Sequence, residues 1–326
     1  MPPDEQPANP TRLDYNRGIL DACYRALATI VKAIDGQNFP RLVVIGGLAP
    51  TLLLDNEHID ELFNDELHPG TNDVDLCVQV ELTDDEALYA SLLRTLKNLG
   101  FEQLKRNDGV RESTWQWVRI VDDAKIAIEF LAPADGVMSS SGAPTVGRIG
   151  EDSPIKPGDE IGAFRLPAGE LALRDAEQRT LYVDLLGPPE EISAGKAHVT
   201  IWVANIVPML VLKSLAIRNR NKAKDSFDIV WLLTRWPGGP AAAARAAAQS
   251  PVASSHHVSE ALAILEESFA DPEKHGCRGY AIFELGGKAA AQSPEDTRRH
   301  ALYAQGAVQR FLKSWRELHE GVVSAT

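Results

Sequence analysis

Two aspartates stand two residues apart in the stretch HPGTNDVDLCVQV, which begins at His68. The stretch otherwise has the apolar alternation of a half-buried β-strand, in which successive side chains point to opposite faces. Asp73 and Asp75 therefore share one face, about 6–7 Å apart at the rise of a strand. Mg²⁺ is usually held by one or two carboxylates together with phosphate oxygens and water. The spacing predicts a site for Mg²⁺ or Mn²⁺, which would offset the cost of burying two charges.

A third carboxylate lies in a later apolar strand, KIAIEFL. Ile126, Ile128 and Phe130 fall on one face of that strand, and Glu129 falls on the other. Glu129 is thus a candidate third metal ligand, or the group that activates an acceptor hydroxyl. An ordinary half-exposed strand with its charges outside would show the same pattern, so both interpretations stay open.

A glycine pair, Gly46-Gly47, follows the apolar strand RLVVI and precedes the helix start LAPTLLLD. Glycines allow backbone N–H groups to approach a phosphate closely, which a bulkier residue would prevent. A lone Gly-Gly is weak evidence, since turns of all kinds use glycine. The order strand, Gly-Gly, helix, Asp-x-Asp strand, distant acid is more specific than any one of its parts.

Positive charge is concentrated in the segment LVLKSLAIRNRNKAKD. Lys213 lies among apolar residues of a predicted helix, and the corner RNRNKAK follows it. Cations there could neutralise a triphosphate, or they could form a solvated helix end, with Asp225 capping the next helix.

The elements that must position these residues indicate an α/β fold (α+β by stricter usage). We expect a small mixed sheet backed by helices and then a helical C-terminal module. The predicted organisation is a disordered tail over 1–10, a catalytic domain over 11–203 with inserted loops after 131, and helices over 204–326. The predicted elements are helices at 11–34, 84–99, 204–218, 225–235, 260–270 and 295–318, with strands at 41–45, 73–80, 101–106, 114–121 and 125–131. The alanine-rich stretch from Pro237 to His257 is predicted to be a mobile connection, although its Ala run would also suit a helix.

Composition narrows the function classes. The 326 residues carry a formal net charge of -13, which argues against one large basic nucleic-acid clamp. The three cysteines form no CxxC pair, so neither a zinc knuckle nor a disulfide framework is indicated. We expect a reducing, cytoplasmic location. No apolar stretch approaches a membrane span, so no membrane partner is expected.

The chain resembles the nucleotidyltransferase superfamily, and within it the AbiEii-type toxins of bacterial toxin–antitoxin systems. The segments VVIGGLAP, TNDVDLCV, IEFL and LVLKSLAIRNRNKAKDSFDIVWLL carry the resemblance. It implies that Gly46 and Gly47 form the turn that holds a nucleoside triphosphate. It also implies that Asp73 and Asp75 are the metal pair and that Glu129 is the third acid.

The same resemblance assigns nucleotide-binding roles to Thr71, Lys213 and Asp225, and a catalytic role to Lys213. Asp228 follows Asp225 by one helical turn. Members of the superfamily often have Ser after the first Gly and a basic residue before the Thr, where this chain has Gly47-Leu48 and Gly70.

The resemblance implies a metal-dependent enzyme that moves an NMP from an NTP to an acceptor hydroxyl. RNA, especially the tRNA 3′ end, is the expected acceptor, and a cognate antitoxin protein is the expected partner. Two alternatives stay open. One is modification of a small molecule such as an antibiotic, and the other is a non-catalytic protein that binds a partner on the same fold.

Overall fold

The structure is a computed structural model. It describes residues 10–35, 39, 41–54, 68–78, 86–105, 112–134, 146–148, 161–189, 191, 193–220 and 222–323. The predicted N-terminal tail, most of the loop predicted over 57–70 and most of the loops after 131 lie outside these ranges. The chain forms two compact units. The sheet unit comprises Asn16–Leu53 and Gly70–Ala204, and the helical unit comprises Met1–Tyr15, Leu54–Pro69 and Asn205–Thr326.

Nine strands of the described residues form the mixed sheet of the sheet unit. They are β1 (Leu42–Ile45), β2 (Asp73–Val78), β3 (Glu102–Lys105), β4 (Glu112–Val121), β5 (Ala124–Pro133), β6 (Val146–Arg148), β7 (Gly162–Leu166), β8 (Ala176–Leu185) and β9 (Gly195–Ala204). The main order is β3-β4-β5-β2-β1-β9-β8, and β7 pairs with β5 and β6. β2 runs parallel to β5 and antiparallel to β1, so the two acidic strands are neighbours.

Among the residues that the structure describes, four α-helices belong to the sheet unit: α1 (Arg17–Ile34), α2 (Ala49–Leu53), α3 (Glu86–Asn98) and α4 (Gly169–Arg174). α1 packs on β2, β5, β8 and β9. Its apolar stripe, including Leu27 and Ile30, is fully buried. The predicted start at Thr11 was too early, because the Asn16 side chain accepts from the Ile19 N–H at 3.0 Å and caps the helix there.

The β4–β5 hairpin confirms the predicted pair of strands and their Asp122-Asp123 turn. Both aspartates have positive φ, 49° and 64°, as two-residue hairpin turns of the mirror-image type require. Arg25 of α1 donates to the Asp122 carboxylate at 2.6 Å. This ion pair offsets part of the cost of holding Asp122, a non-glycine residue, at positive φ.

Seven helices of the described residues build the helical unit: α5 (Ile206–Arg220), α6 (Ala223–Arg235), α7 (Gly239–Ala248), α8 (His256–Ser268), α9 (His275–Leu285), α10 (Gly287–Gln292) and α11 (Pro294–Val323). The Ala run is a helix and not a mobile connection, which is the second of the two interpretations that the sequence allowed. The run forms α7, and Ala243, Ala244 and Ala247 are fully buried. The small Ala side chains allow neighbouring helices to pack closely there. The Gly, Pro and Ser residues on either side of the run are typical of loops, so the sequence favoured a connection.

The fold class is confirmed: a mixed sheet backed by helices, and a C-terminal part made of helices. The predicted boundary between 203 and 204 lies one residue from the division at Ala204 and Asn205. Within the described part of the chain, no helix is long and apolar enough to cross a membrane.

Candidate functional site

The strand register brings two of the predicted acids side by side. Asp75 of β2 is the parallel register partner of Glu129 of β5, and Asp73 pairs with Ala127. Directly paired residues point to the same face of a sheet, so all three carboxylates share one face. All three acids are half-buried, whereas Val74 and Leu76 on the opposite face are fully buried. The face assignment made from alternation is therefore correct.

Thr71 orients Asp73. Its hydroxyl donates to the Asp73 carboxylate, and the Asp73 backbone N–H points back to the same hydroxyl oxygen at 3.4 Å. The Thr71 carbonyl accepts from the Cys23 thiol at 3.2 Å, which ties this turn to α1. Thr71 is fully buried. These contacts make Thr71 a positioning residue for a carboxylate.

Gly46 lies directly against Asp75. Its φ is +70°, and a Cβ built on it would lie 1.7 Å from Asp75 Oδ2 and 2.7 Å from Cγ. No other residue type fits at this position unless the carboxylate moves. The missing side chain of Gly46 therefore leaves room for the acid of the next strand.

The glycine turn ends in a very short helix. Gly46, Gly47 and Leu48 form the turn, and α2 has five residues. Because α2 has so few aligned peptide dipoles, its macrodipole adds little to the binding of an anion at the turn. A phosphate at this turn would depend on the backbone N–H groups of the turn itself.

Glu129 has a defined partner. The Gln116 side-chain amide donates to Glu129 Oε1 at 2.8 Å, and the two residues are register partners across the hairpin. Sequence reasoning missed Gln116, although counting back from the Asp122-Asp123 turn places it opposite Glu129. Gln116 orients the carboxylate without neutralising its charge.

The pKa of the buried Cys23 thiol responds to the negative charge of the acidic face. The pKa of Cys23 is raised well above its usual range, first by burial and then by the negative charges of Asp73 and Asp75. Cys77 also has its pKa raised, to about 12, by burial and by Glu170. Both thiols are therefore unreactive at neutral pH, and the carboxylates generate a negative potential that favours a bound cation.

Whether the acids fit a divalent metal depends on the donor set. Among the described residues, no group of three or more His, Cys, Asp or Glu side chains is arranged to hold a metal by itself. Asp73 and Asp75 supply two carboxylates on one half-buried face. That set fits Mg²⁺ with its shell completed by substrate phosphates and water, which is how Mg²⁺ is commonly bound.

The predicted site residues of the helical unit form a separate buried ion cluster. Lys213 Nζ lies 3.1 Å from Asp225 Oδ1 and 2.6 Å from Asp228 Oδ2. Burial opposes the Lys213 charge, yet Asp228 and Asp225 raise its pKa above the usual range. Arg220 donates to both Asp225 oxygens, at 2.9 and 2.8 Å. Asp225 thus binds two cations besides lying in the first turn of α6.

His68 completes this cluster, and sequence reasoning missed it. His68 Nε2 lies 3.0 Å from Asp228 Oδ1, and Lys224 Nζ approaches the same carboxylate at 3.1 Å. Burial lowers the pKa of His68 to about 4, although Asp228 opposes that shift. Burial likewise opposes ionisation of Asp228, but Lys213 and Lys224 hold its pKa far below the usual range. A neutral His68 therefore donates to an ionised Asp228.

The predicted site residues thus fall into two groups. The sheet unit brings together Gly46, Gly47, Thr71, Asp73, Asp75 and Glu129. The helical unit brings together Lys213 and Asp225.

Comparisons with protein-family models, with curated proteins and with solved structures found no significant match to this chain. The resemblance to nucleotidyltransferases therefore stays a prediction from the sequence motifs.

Proposed function

We propose that the sheet unit catalyses nucleotidyl transfer from an NTP to an acceptor hydroxyl. The observation that carries the proposal is the in-register acidic face, with Asp73, Asp75 and Glu129 together and Gly46 against Asp75. A structural strand would gain nothing from three half-buried carboxylates on one face, since each must be desolvated. A cation and a triphosphate would turn this arrangement into a favourable one.

The residues of the chain have distinct roles in this proposal. Asp73 and Asp75 would hold Mg²⁺ or Mn²⁺, which when bound would neutralise charge on the triphosphate. Glu129, oriented by Gln116, accepts the proton of the acceptor hydroxyl while the hydroxyl oxygen attacks the α-phosphorus. The new bond joins that oxygen to the α-phosphorus, the bond to the β-phosphate oxygen breaks, and pyrophosphate leaves. Thr71 holds Asp73, and the Gly46-Gly47 turn offers backbone N–H groups to the phosphates.

Lys213 has a narrower role than the motif alone implies. Its ammonium group has three donors, and two carboxylates lie within hydrogen-bond distance of it. We therefore propose that Lys213 and Asp225 act mainly by holding α5 and α6 together.

RNA, with the tRNA 3′ end foremost, is the acceptor that we propose, and an antitoxin protein is the proposed partner. The net charge of -13 supports a different acceptor, a small molecule such as an antibiotic, because RNA affinity usually comes from Lys and Arg contacts to phosphates. A non-catalytic protein that binds a partner would not need the acids.

The test is label transfer from each of the four α-labelled NTPs to total tRNA in the presence of Mg²⁺. Asp75→Asn keeps the size of the side chain and removes its charge, so we expect transfer to be lost. Asp123→Asn is the matched control, because Asp123 is exposed in a turn of the same sheet and Asn tolerates its positive φ. We expect full transfer by this control.

Three results would contradict parts of the proposal. Equal transfer by Asp75→Asn and the wild type would refute the metal assignment. A parallel assay offers an aminoglycoside as the acceptor, and transfer to it but not to tRNA would favour the small-molecule acceptor. No transfer to either acceptor with any NTP would favour the non-catalytic interpretation.

A further inference from the structure

The two last strands of the sheet present an exposed aromatic surface. β8 pairs only with β9 among the described strands, so it is an edge of the sheet. Tyr182 of β8 is 60% exposed and stacks on His198 of β9, with ring centroids 4.6 Å apart. Lys196 Nζ lies 5.8 Å from the centre of the Tyr182 ring. More than half of the Tyr182 side chain is therefore open to solvent.

A second aromatic position lies further along the same face. Trp202 falls four residues after His198, and the guanidinium carbon of Arg41 lies 4.0 Å from its ring centre. Thr180 and Thr200, which are register partners and exposed, stand between the two positions. The two aromatic positions are about 13 Å apart along the strand, with hydroxyl groups between them.

We propose that this aromatic platform, formed by Tyr182, His198, Lys196, Trp202 and Arg41, binds single-stranded RNA. Unpaired bases stack on aromatic rings and on Arg guanidinium planes, and cations beside them contact the phosphates. The threonine hydroxyls can bond to 2′-hydroxyl groups, which DNA lacks.

The charge of the surface fits this occupant. The chain as a whole has 46 acidic and 33 basic residues. The platform has two cations, Lys196 and Arg41, beside its rings. The register partner of Lys196 is Asp184, whose carboxylate accepts a hydrogen bond from the Ser193 hydroxyl. Two cations therefore lie beside the aromatic rings of an otherwise acidic chain, where the phosphates of a polyanion could contact them.

The platform and the acidic face are on the same side of the sheet. Trp202 pairs with Val43, and Val43 pairs with Cys77, which shares its face with Asp75. Strand spacings place Trp202 about 12 Å and Tyr182 about 25 Å from Asp75. α4 covers this face near Cys77, whose thiol donates to the Gly169 carbonyl at 3.5 Å. An RNA on the platform would lie within a few nucleotides of the acids, yet the binding itself does not depend on the transfer reaction.

The experiment measures the fluorescence anisotropy of a labelled 12-nucleotide RNA of mixed sequence, without NTP or Mg²⁺. We expect Tyr182→Ala to weaken binding by about 5- to 150-fold, the usual loss for one stacked base. Lys196→Ala should weaken binding to all sequences and reduce the slope of log affinity against log salt by about 0.7. Tyr303→Ala and Lys313→Ala are the matched controls, being 45% and 77% exposed in the helical unit, and should bind as the wild type does.

Several outcomes would overturn the proposal. Equal losses in Tyr182→Ala and Tyr303→Ala, or no binding by the wild type, would exclude a platform at Tyr182. Equal affinity for DNA of the same sequence would refute RNA as the occupant, and equal affinity for duplex RNA would refute base stacking. If sedimentation shows a wild-type dimer that Tyr182→Ala dissociates, the face is instead an interface between two copies. None of these results depends on whether nucleotidyl transfer occurs.

Discussion

Gly46→Ala tests the contact between the glycine turn and the acidic strand. A left-handed backbone costs an L-residue about 1–2 kcal/mol, and Gly46 has φ +70°. The added Cβ would also lie 1.7 Å from Asp75 Oδ2. The carboxylate must move by more than about 1 Å, at a rotamer cost of about 0.5–1.5 kcal/mol. We expect the free energy of unfolding to fall by about 1.5–3.5 kcal/mol, the sum of these two costs.

The chain offers a matched control in the same unit. Gly195 has φ +90°, but nothing lies within 4 Å of a Cβ built on it. Gly195→Ala should therefore lose only the backbone cost, about 1–2 kcal/mol. Urea unfolding of the two variants separates the backbone cost from the contact with Asp75.

Activity separates the two variants further. Displacement of a catalytic group by about 1 Å can lower a rate by about 100-fold, so Gly46→Ala should transfer label about that much more slowly than Gly195→Ala. Equal transfer by the two folded variants would refute the idea that Gly46 fixes the Asp75 carboxylate. Equal losses of stability would refute the contact itself.

Three further predictions concern charged side chains. Glu129→Gln should lower the transfer rate by about 10²–10⁴-fold, as measured by label transfer, because the amide accepts no proton. Lys213→Met should lower the free energy of unfolding by about 1–3 kcal/mol in urea, because Asp225 and Asp228 lose their shared cation and keep only their other partners. Stability should also fall by up to about 3 kcal/mol as the pH drops from about 6.5 to about 4, because unfolded His68 takes up a proton that the folded protein excludes.

For each of these three predictions, one result would contradict it. Wild-type transfer by Glu129→Gln would exclude Glu129 as the base. Lys213→Met unfolding at the wild-type urea concentration would show that the cluster adds no stability. His68→Gln can still donate to Asp228 but does not titrate, so its stability should vary less over that pH range. An unchanged pH dependence would show that His68 is not the group responsible.

The sequence alone determined the faces of the acidic strands. Alternation is a local property of an extended chain, so Asp73, Asp75 and Glu129 could be assigned to polar faces without a structure. The Asp122-Asp123 turn and the apolar stripe of α1 are equally local. The Ala run fitted both a mobile connection and a helix, and packing decided for the helix. The start of α1 was predicted wrongly because a side-chain cap sets it at Asn16.

The tertiary structure decided which of these residues meet. Asp75 and Glu129 are neighbours only because β2 runs beside β5, and Gly46 contacts Asp75 only because β1 pairs with β2. Pairing between distant segments is set by the packing of the whole sheet, which local periodicity does not encode. The same holds for His68 beside Asp228 and for Tyr182 on His198, where the partners are separated in sequence and brought together by the fold.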